Sequence, residues 1–393
     1  MNAFIAAVLE KKTILVANEA RLLKKSFLGI AILAMAFQGN NFGEMIRSTL
    51  VDAYLQVSVF VGFTLFIFIG MDSLTKFNIS DVLYKTKKYH VIMASLLGAL
   101  PGCGGAIIVV TQYIQGRIGF GSLVAVLTAT MGDAAFLLLA AEPVTGFFIF
   151  GLGAIVGALS GYIVDKIHGE SYLQGNSKLK VEFEKISKTF VSKFNIFWTL
   201  IFLPGFVIGL FVAFQVDVDQ TIGIPNGISL TSTVGACGAI LCIFMWSLNP
   251  LSDFQCSTDR SRNLLSRVVD TTNFVTTWVI CGFLTFEIFM YFTDYNLKTF
   301  FEIWLPFVPF MAILFGFLPG CGPQIVVTTF YINGSIPLSA EIGNAISNDG
   351  DALFPALAIH PKAALIATLY SAVPAFIVSY LYLFIFEANI FWF

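Results

Sequence analysis

The residues with the clearest capacity for chemistry come in matched pairs. The pentapeptide LPGCG occurs at 100–104 and again at 318–322, and a Gly-Asp follows each, at Gly132-Asp133 and Gly350-Asp351. An acid inside a membrane helix costs roughly 2.5–3.5 kcal/mol on insertion scales, so such residues face a cavity and mark an ion or proton path. Asp133 and Asp351, one from each copy, can share a cation. Cys103 and Cys321 stand at the centres of the two pentapeptides. A thiolate there favours soft metals; equally, a small residue there allows close helix contact.

The second copy is the more polar. Glu341, Asn344, Asn348 and Asp351 fall on one face of a continuous helix, whereas the first copy has Leu123, Val126, Thr130 and Asp133 at the aligned positions. Most substrate ligands are therefore expected from the second copy. Thr111, Thr329 and Gln324 follow the two breaks and offer hydroxyl and amide contacts. Tyr113 and Tyr331 read better as interfacial anchors.

The pairing extends well beyond these residues. At a constant offset of 218, Thr111, Tyr113 and Gly116 fall on Thr329, Tyr331 and Gly334, and Pro143 falls on Pro361. Matched Pro, Gly, Cys, Tyr and Asp at one offset indicate an internal duplication. Pro101, Gly102 and Gly104, like Pro319, Gly320 and Gly322, break a helix, because proline lacks an amide hydrogen and glycine permits angles closed to other residues. The apolar arms on either side each span about half a bilayer, so the breaks are expected near its midplane. Non-helical backbone survives at that depth only where it is buried in protein or lines a wet cavity. The exposed carbonyls and amides of paired breaks make ion sites in transporters built from repeats. A packing kink is the plainer alternative for either break alone.

Composition sets the surroundings. Of 393 residues, 57% are hydrophobic and 12% charged, against about 25% charged in soluble domains. The chain is an integral membrane protein, and its net charge of −2 gives no case for nucleic acid. The cysteines form no CxxC pair, and no phosphate loop, catalytic triad or haem motif appears. Any energy coupling would use an ion gradient or a partner. A membrane enzyme, the reading from another class, would need a nucleophile and base near an interface, which Asp133 and Asp351 at depth do not suit.

The expected architecture is an all-α polytopic membrane protein with about 9–11 membrane segments. Its parts are an N-terminal lead with a weak first segment (1–48), repeat 1 (49–166), a cytoplasmic linker (167–194), connecting segments (195–266) and repeat 2 (267–393). The loops at 72–89, 166–194 and 254–270 are basic and expected in the cytoplasm; those at 215–229 and 294–302 are acidic or neutral and expected outside. The topology that satisfies all five makes each PGCG segment a re-entrant hairpin and the two repeats inverted. The first strong span is expected at about 50–71, and unbroken apolar segments at about 119–141 and 338–358.

The doubled LPGCG, the TxYxxG that follows and the downstream Gly-Asp resemble the ten-transmembrane heavy-metal exporter family, whose members are labelled manganese transporters or arsenic efflux proteins. The resemblance runs from about residue 50 to the end. A looser similarity reaches the gate-type inverted-repeat domains of iron and nucleoside transporters. The resemblance implies a secondary transporter of the bacterial inner membrane that exports a divalent cation such as manganese, with proton antiport as one coupling. Metal ligands would be Asp133, Asp351, Cys103 and Cys321. Arsenite, an anion or a small organic solute are the alternative cargoes. No tightly bound cofactor is expected, only the transported ion; the partners are the bilayer, the substrate and, as an option, a second copy of the chain.

Overall fold

The computed structural model describes residues 22–75, 89–132, 134–169, 172–173, 190–214, 216–222, 229–249, 262–293 and 305–387. Every regular element among them is helical. The basic and acidic loops on which the expected orientation rests lie largely outside these residues.

Helix α1 covers 22–36. Helix α2 (Asn41–Asp52) starts where the Asn40 side chain accepts from the Gly43 amide at 2.9 Å, an N-cap that satisfies one orphan donor. It continues through a π turn at Ala53–Ser58 into α3 (Val59–Thr75). The Ser58 hydroxyl bonds the Ala53 carbonyl five residues back, which favours the wider turn. The first span therefore begins at Asn41 and not near residue 50: a cap and a continuous ladder carry a polar stretch into the helix that hydropathy alone leaves out.

The first copy then follows as α4 (His90–Gly98), α5 (Gly104–Ile114), α6 (Phe120–Ala129), α7 (Ala134–Ala141) and α8 (Pro143–His168). A connecting group holds α9 (Asn195–Ala213), α10 (Val218–Ile222), α11 (Leu230–Ser247) and α12 (Leu264–Thr293). The second copy is α13 (Val308–Gly316), α14 (Cys321–Ile332), α15 (Leu338–Ser347), α16 (Leu353–Ile359) and α17 (Pro361–Phe386). The duplication thus recurs element by element. The two long helices both open on proline, at Pro143 and Pro361, where the missing amide hydrogen costs nothing. The two breaks also repeat in backbone angle: Gly102 has φ 87° and Gly320 109°, while Gly132 and Gly350 have 55° and 56°. These are left-handed conformations that glycine adopts without steric cost.

The apolar segments at 119–141 and 338–358 are not continuous helices. In the second copy α15 stops at Ser347, Asn348 is extended (ψ 123°), and a single 3-10 turn at Gly350–Ala352 precedes α16. In the first, Thr130 is extended (ψ 124°) and Gly132 has positive φ. Each copy therefore carries two breaks, one at PGCG and one at Gly-Asp.

The copies pack reciprocally. Helix α6 lies against α17 and α15 against α8; α5 meets α16 and α14 meets α7. The Tyr331 hydroxyl donates to Glu142 at 2.7 Å. Its counterpart Tyr113 sets its ring edge-on to His360, the residue aligned with Glu142, at 6.4 Å. Such mutual exchange of contacts is the mark of an approximate two-fold axis.

The helices outside the repeats form a scaffold on one side. Gly238 of α11 leaves room for the Tyr54 ring, and Trp198 of α9 donates to Asn273 of α12 at 2.9 Å. Arg262 pairs with Asp270, which also accepts from Asn249. Before α11, the Ser229 hydroxyl and the backbone amides of Thr231 and Leu230 donate to Asp219 and hold its carboxyl below the ordinary value. Seven stretches among the described residues are long and apolar enough to cross a membrane. The outer faces of α8 and α17 expose rows of large apolar side chains, among them Ile155, Leu159, Leu369 and Ile377, as helices in contact with lipid do.

Candidate metal-binding site

Breaking a helix in an apolar interior leaves its last carbonyls and the next helix's first amides without partners. The second copy answers this with side chains. Asn344 Nδ2 donates to the Ala312 carbonyl at 2.8 Å, and the Ser347 hydroxyl to that of Ile313. Asn348 Nδ2 reaches the carbonyls of Gly316 and Gly320, both at 3.3 Å. Its Oδ1 accepts from the Gly350 amide at 2.7 Å, which fixes the second break against the first. In the first copy the link is direct, from the Gly102 amide to the Gly132 carbonyl at 3.0 Å.

These ties bring the breaks of both copies to one point. Cys103 caps α5 and Cys321 opens α14. Their sulfur atoms lie 3.4 Å apart. Asp351 Oδ2 is 3.4 Å from Cys103 Sγ and 3.0 Å from Cys321 Sγ, and Oδ1 accepts from the Cys321 amide at 3.2 Å. All three side chains are buried. Their ligand atoms lie within 4.8 Å of one another and form the one cluster of metal-ligating groups among the described residues. Both thiols sit at a helix N-terminus, where the first backbone amides point at them. Two sulfur ligands on one tetrahedral Zn²⁺, each at about 2.3 Å, stand about 3.8 Å apart, so the observed spacing needs little adjustment to grip such an ion. Gly132 and Gly350 line this point. A Cβ on Gly132 would press into the sulfur of Cys321, whereas one on Gly350 would meet the Thr130 methyl at 3.1 Å.

Three of the four metal ligands expected from the sequence are therefore together; the fourth, Asp133, lies outside the described residues. The wider ligand set divides. Asn344 and Asn348 are committed to backbone carbonyls. Thr111 and Thr329 turn back onto the carbonyls of Ile107 and Ile325 in their own helices. Glu341 bonds Thr328 across the α14–α15 interface at 2.8 Å, and Gln324 is fully buried on α14. The single polar face read across 341–351 does not exist, because the backbone leaves the helix after Ser347 and re-aims Asp351 at the thiols.

The ArsP_2 family model, described as "Putative, 10TM heavy-metal exporter", matches residues 41–386. The chain belongs to this family. It is accordingly a multi-pass membrane protein of a transporter family. Neither a search of curated proteins nor one of solved structures returned a match.

For a member of an exporter family, access to the buried cluster matters. A cavity of about 830 Å³ runs between α2, α12 and the second PGCG break, lined by Asp52, Gln56, Phe283, Glu287, Gly322 and Pro323. It reaches Gly322, next to Cys321. A second cavity of about 440 Å³ shares Gln56 and Ile325 with it and extends to Thr329 and Asn333. Asp52 and Glu287 lie within electrostatic reach of each other and make the mouth acidic, which suits a cation. The sequence reading passed over both, although an acid inside each of two apolar spans was visible. Asp349, which a continuous helix would carry off the face of Glu341 and Asn344, is buried as well and accepts a hydrogen bond from Thr368.

Proposed function

We propose that this protein exports a thiophilic heavy-metal cation across the bacterial inner membrane, with Cys103, Cys321 and Asp351 as its ligands in transit and Asp133 as the fourth. The observation that carries the reading is the contact of two thiols and a carboxylate at the junction of four helix breaks. Two of those three donors are sulfur, which favours zinc, cadmium or copper(I) over a hard ion held by oxygen. Manganese, the cation the family resemblance implies, is the less favoured cargo on this donor set. Arsenite, which bonds thiols, would use the same pair.

Two features support an alternating mechanism. The reciprocal contacts of the copies suit inverted repeats that rock about a fixed central site. Gly105 packs on the Leu97 backbone across the first break; in a straight helix, residues eight apart would be about 12 Å distant, and this close approach supports arms that fold back as a re-entrant hairpin. Loading a metal onto protonated thiols releases protons, so proton antiport is the natural coupling.

The test is cation efflux from proteoliposomes holding the purified chain. Cadmium and zinc should move, and Cys103→Ser or Cys321→Ser should abolish that movement. Manganese transport that survives both substitutions would refute the thiol site and return the weight to carboxylates alone.

A further inference from the structure

We propose that the α14–α15 interface holds a proton-binding site separate from the thiol centre, with Glu341 as the proton carrier and Gln324 and Asn344 as its polar walls. Glu341, Gln324 and Asn344 are each fully buried. Glu341 Oε1 accepts from Thr328, but its Oε2, both amide atoms of Gln324 and Oδ1 of Asn344 have no hydrogen-bond partner among the described residues. Buried polar atoms in native proteins are almost always paired, so four orphans on the adjoining helices α14 and α15 make the protonation state of Glu341 decisive for their pairing. Three of the four are oxygens, and an ionised carboxylate only adds an acceptor to a group already short of donors. A proton on Glu341 converts one of those acceptors into a donor and removes a buried charge, whose cost in such surroundings is large.

The fold does not require these groups. At the aligned positions of the first copy, Gln324, Thr328, Glu341 and Asn344 are replaced by Ala106, Val110, Leu123 and Val126, all buried in an interface of the same helices. The thiols at the centre are paired between the copies; this polar set is built in one copy alone. A function confined to one repeat is expected of a coupling site.

A route to the surface lies on the same helix face. Gln324, Thr328 and Tyr331 follow one another at turns of α14. Tyr331 lies within electrostatic reach of Glu341 and donates to Glu142, a half-buried acid of the other copy that also accepts from Thr145. Of the elements packed on α15, α13 and α6 carry no titratable side chain. Helix α8 meets it through Ile149, Leu152 and Val156. Helix α17 brings Tyr380, which donates to the Pro306 carbonyl, and Tyr382, packed on Phe148 and Phe386. Glu387 accepts from the Ser339 amide. No cation among these neutralises Glu341, which leaves a proton as its counter-charge.

The coupling role rests on the exporter reading; the proton seat itself does not. Infrared difference spectra of the purified full chain across a pH step should show the C=O stretch of a protonated, buried carboxylic acid. That band should vanish in Glu341→Gln and shift in Gln324→Leu, while Cd²⁺ affinity by equilibrium dialysis stays within about threefold of wild type in both. Cys103→Ser should lose Cd²⁺ and keep the band. In proteoliposomes Glu341→Gln should lose the dependence of Cd²⁺ flux on a pH gradient. A band that persists in Glu341→Gln, its displacement by Na⁺ at fixed pH, or loss of Cd²⁺ binding in a folded Glu341→Gln each overturns the proposal. Failure of wild type to bind Cd²⁺ with the band intact would instead strike only the metal reading.

Discussion

Cys103 and Cys321 occupy equivalent places in the two copies, and their sulfur atoms meet at 3.4 Å. Equivalent residues of an inverted or rotated pair can touch only where the pseudo-symmetry axis passes. The two thiols therefore mark that axis, and the substrate site proposed here lies on it. Oxidation offers a direct check, since a disulfide needs the sulfurs only to close to about 2.05 Å. With the other cysteines replaced and the chain expressed as two halves, mild oxidation should join the halves covalently. Either Cys→Ser change should prevent this, and saturating Cd²⁺ should protect against it. Halves that never cross-link would place the thiols apart.

Asp351 should be needed for transport and not for folding. Asn keeps the shape and can still accept from the Cys321 amide, but it carries no charge. Asp351→Asn should give a well-expressed protein whose Cd²⁺ affinity falls by about 100-fold, at least the upper range seen when groups supporting a metal ligand are lost. Asp133→Asn should act in the same direction. Efflux at the wild-type rate from the double variant, normalised to protein level, would sink the carboxylate contribution.

The glycines of the two Gly-Asp breaks should respond unequally. Both have positive φ, so alanine costs about 1–2 kcal/mol at either. At Gly350 the added carbon presses on the Thr130 methyl at 3.1 Å and reaches the two sulfurs only at ordinary contact, 3.6 and 3.8 Å, whereas at Gly132 it would press into the Cys321 sulfur. Gly350→Ala should lower the Tm by roughly 1–3 °C and still bind Cd²⁺. Gly132→Ala should lose binding as Cys321 is displaced. Equal Cd²⁺ affinities in the two would contradict the close approach.

Asn348 should be structural, as should the Nδ2 end of Asn344. Asn348→Leu removes the donor that serves the Gly316 and Gly320 carbonyls, at about 1–3 kcal/mol for each buried acceptor left unpaired. Thermal unfolding should shift downward while the protein that remains folded binds Cd²⁺ normally. A variant of unchanged stability that fails to bind would restore these residues to the ligand set.

The acidic mouth should govern capture. Asp52→Asn and Glu287→Gln remove charge from the cavity that leads to Gly322. Each should raise KM several-fold for Cd²⁺ supplied on the side where this cavity opens and leave kcat alone, and the effect should shrink at high salt as screening replaces the lost contrast. A fall in kcat at constant KM would place these acids in the transport step.

The sequence alone determined what repeats and what breaks. Identical Pro, Gly, Cys and Asp at one offset showed the duplication, because such residues are retained in pairs only where the backbone or the chemistry demands them. The PGCG breaks were equally legible, since proline and glycine act through their own covalent structure. The second break was not. Its residues, Asn348 to Asp351, are compatible with a helix, and a helix was the simpler reading. Only tertiary packing decided otherwise, because the carbonyls left at the end of α13 drew Asn344, Ser347 and Asn348 as donors. That exchange turned two of the four residues of a supposed binding face, Asn344 and Asn348, into backbone clamps and left Glu341 and Asp351 as acids in separate surroundings. It also aimed Asp351 at two thiols, one of them 248 residues away in the chain. Distances of that kind depend on how helices from both copies cross, and no local pattern of residues encodes them.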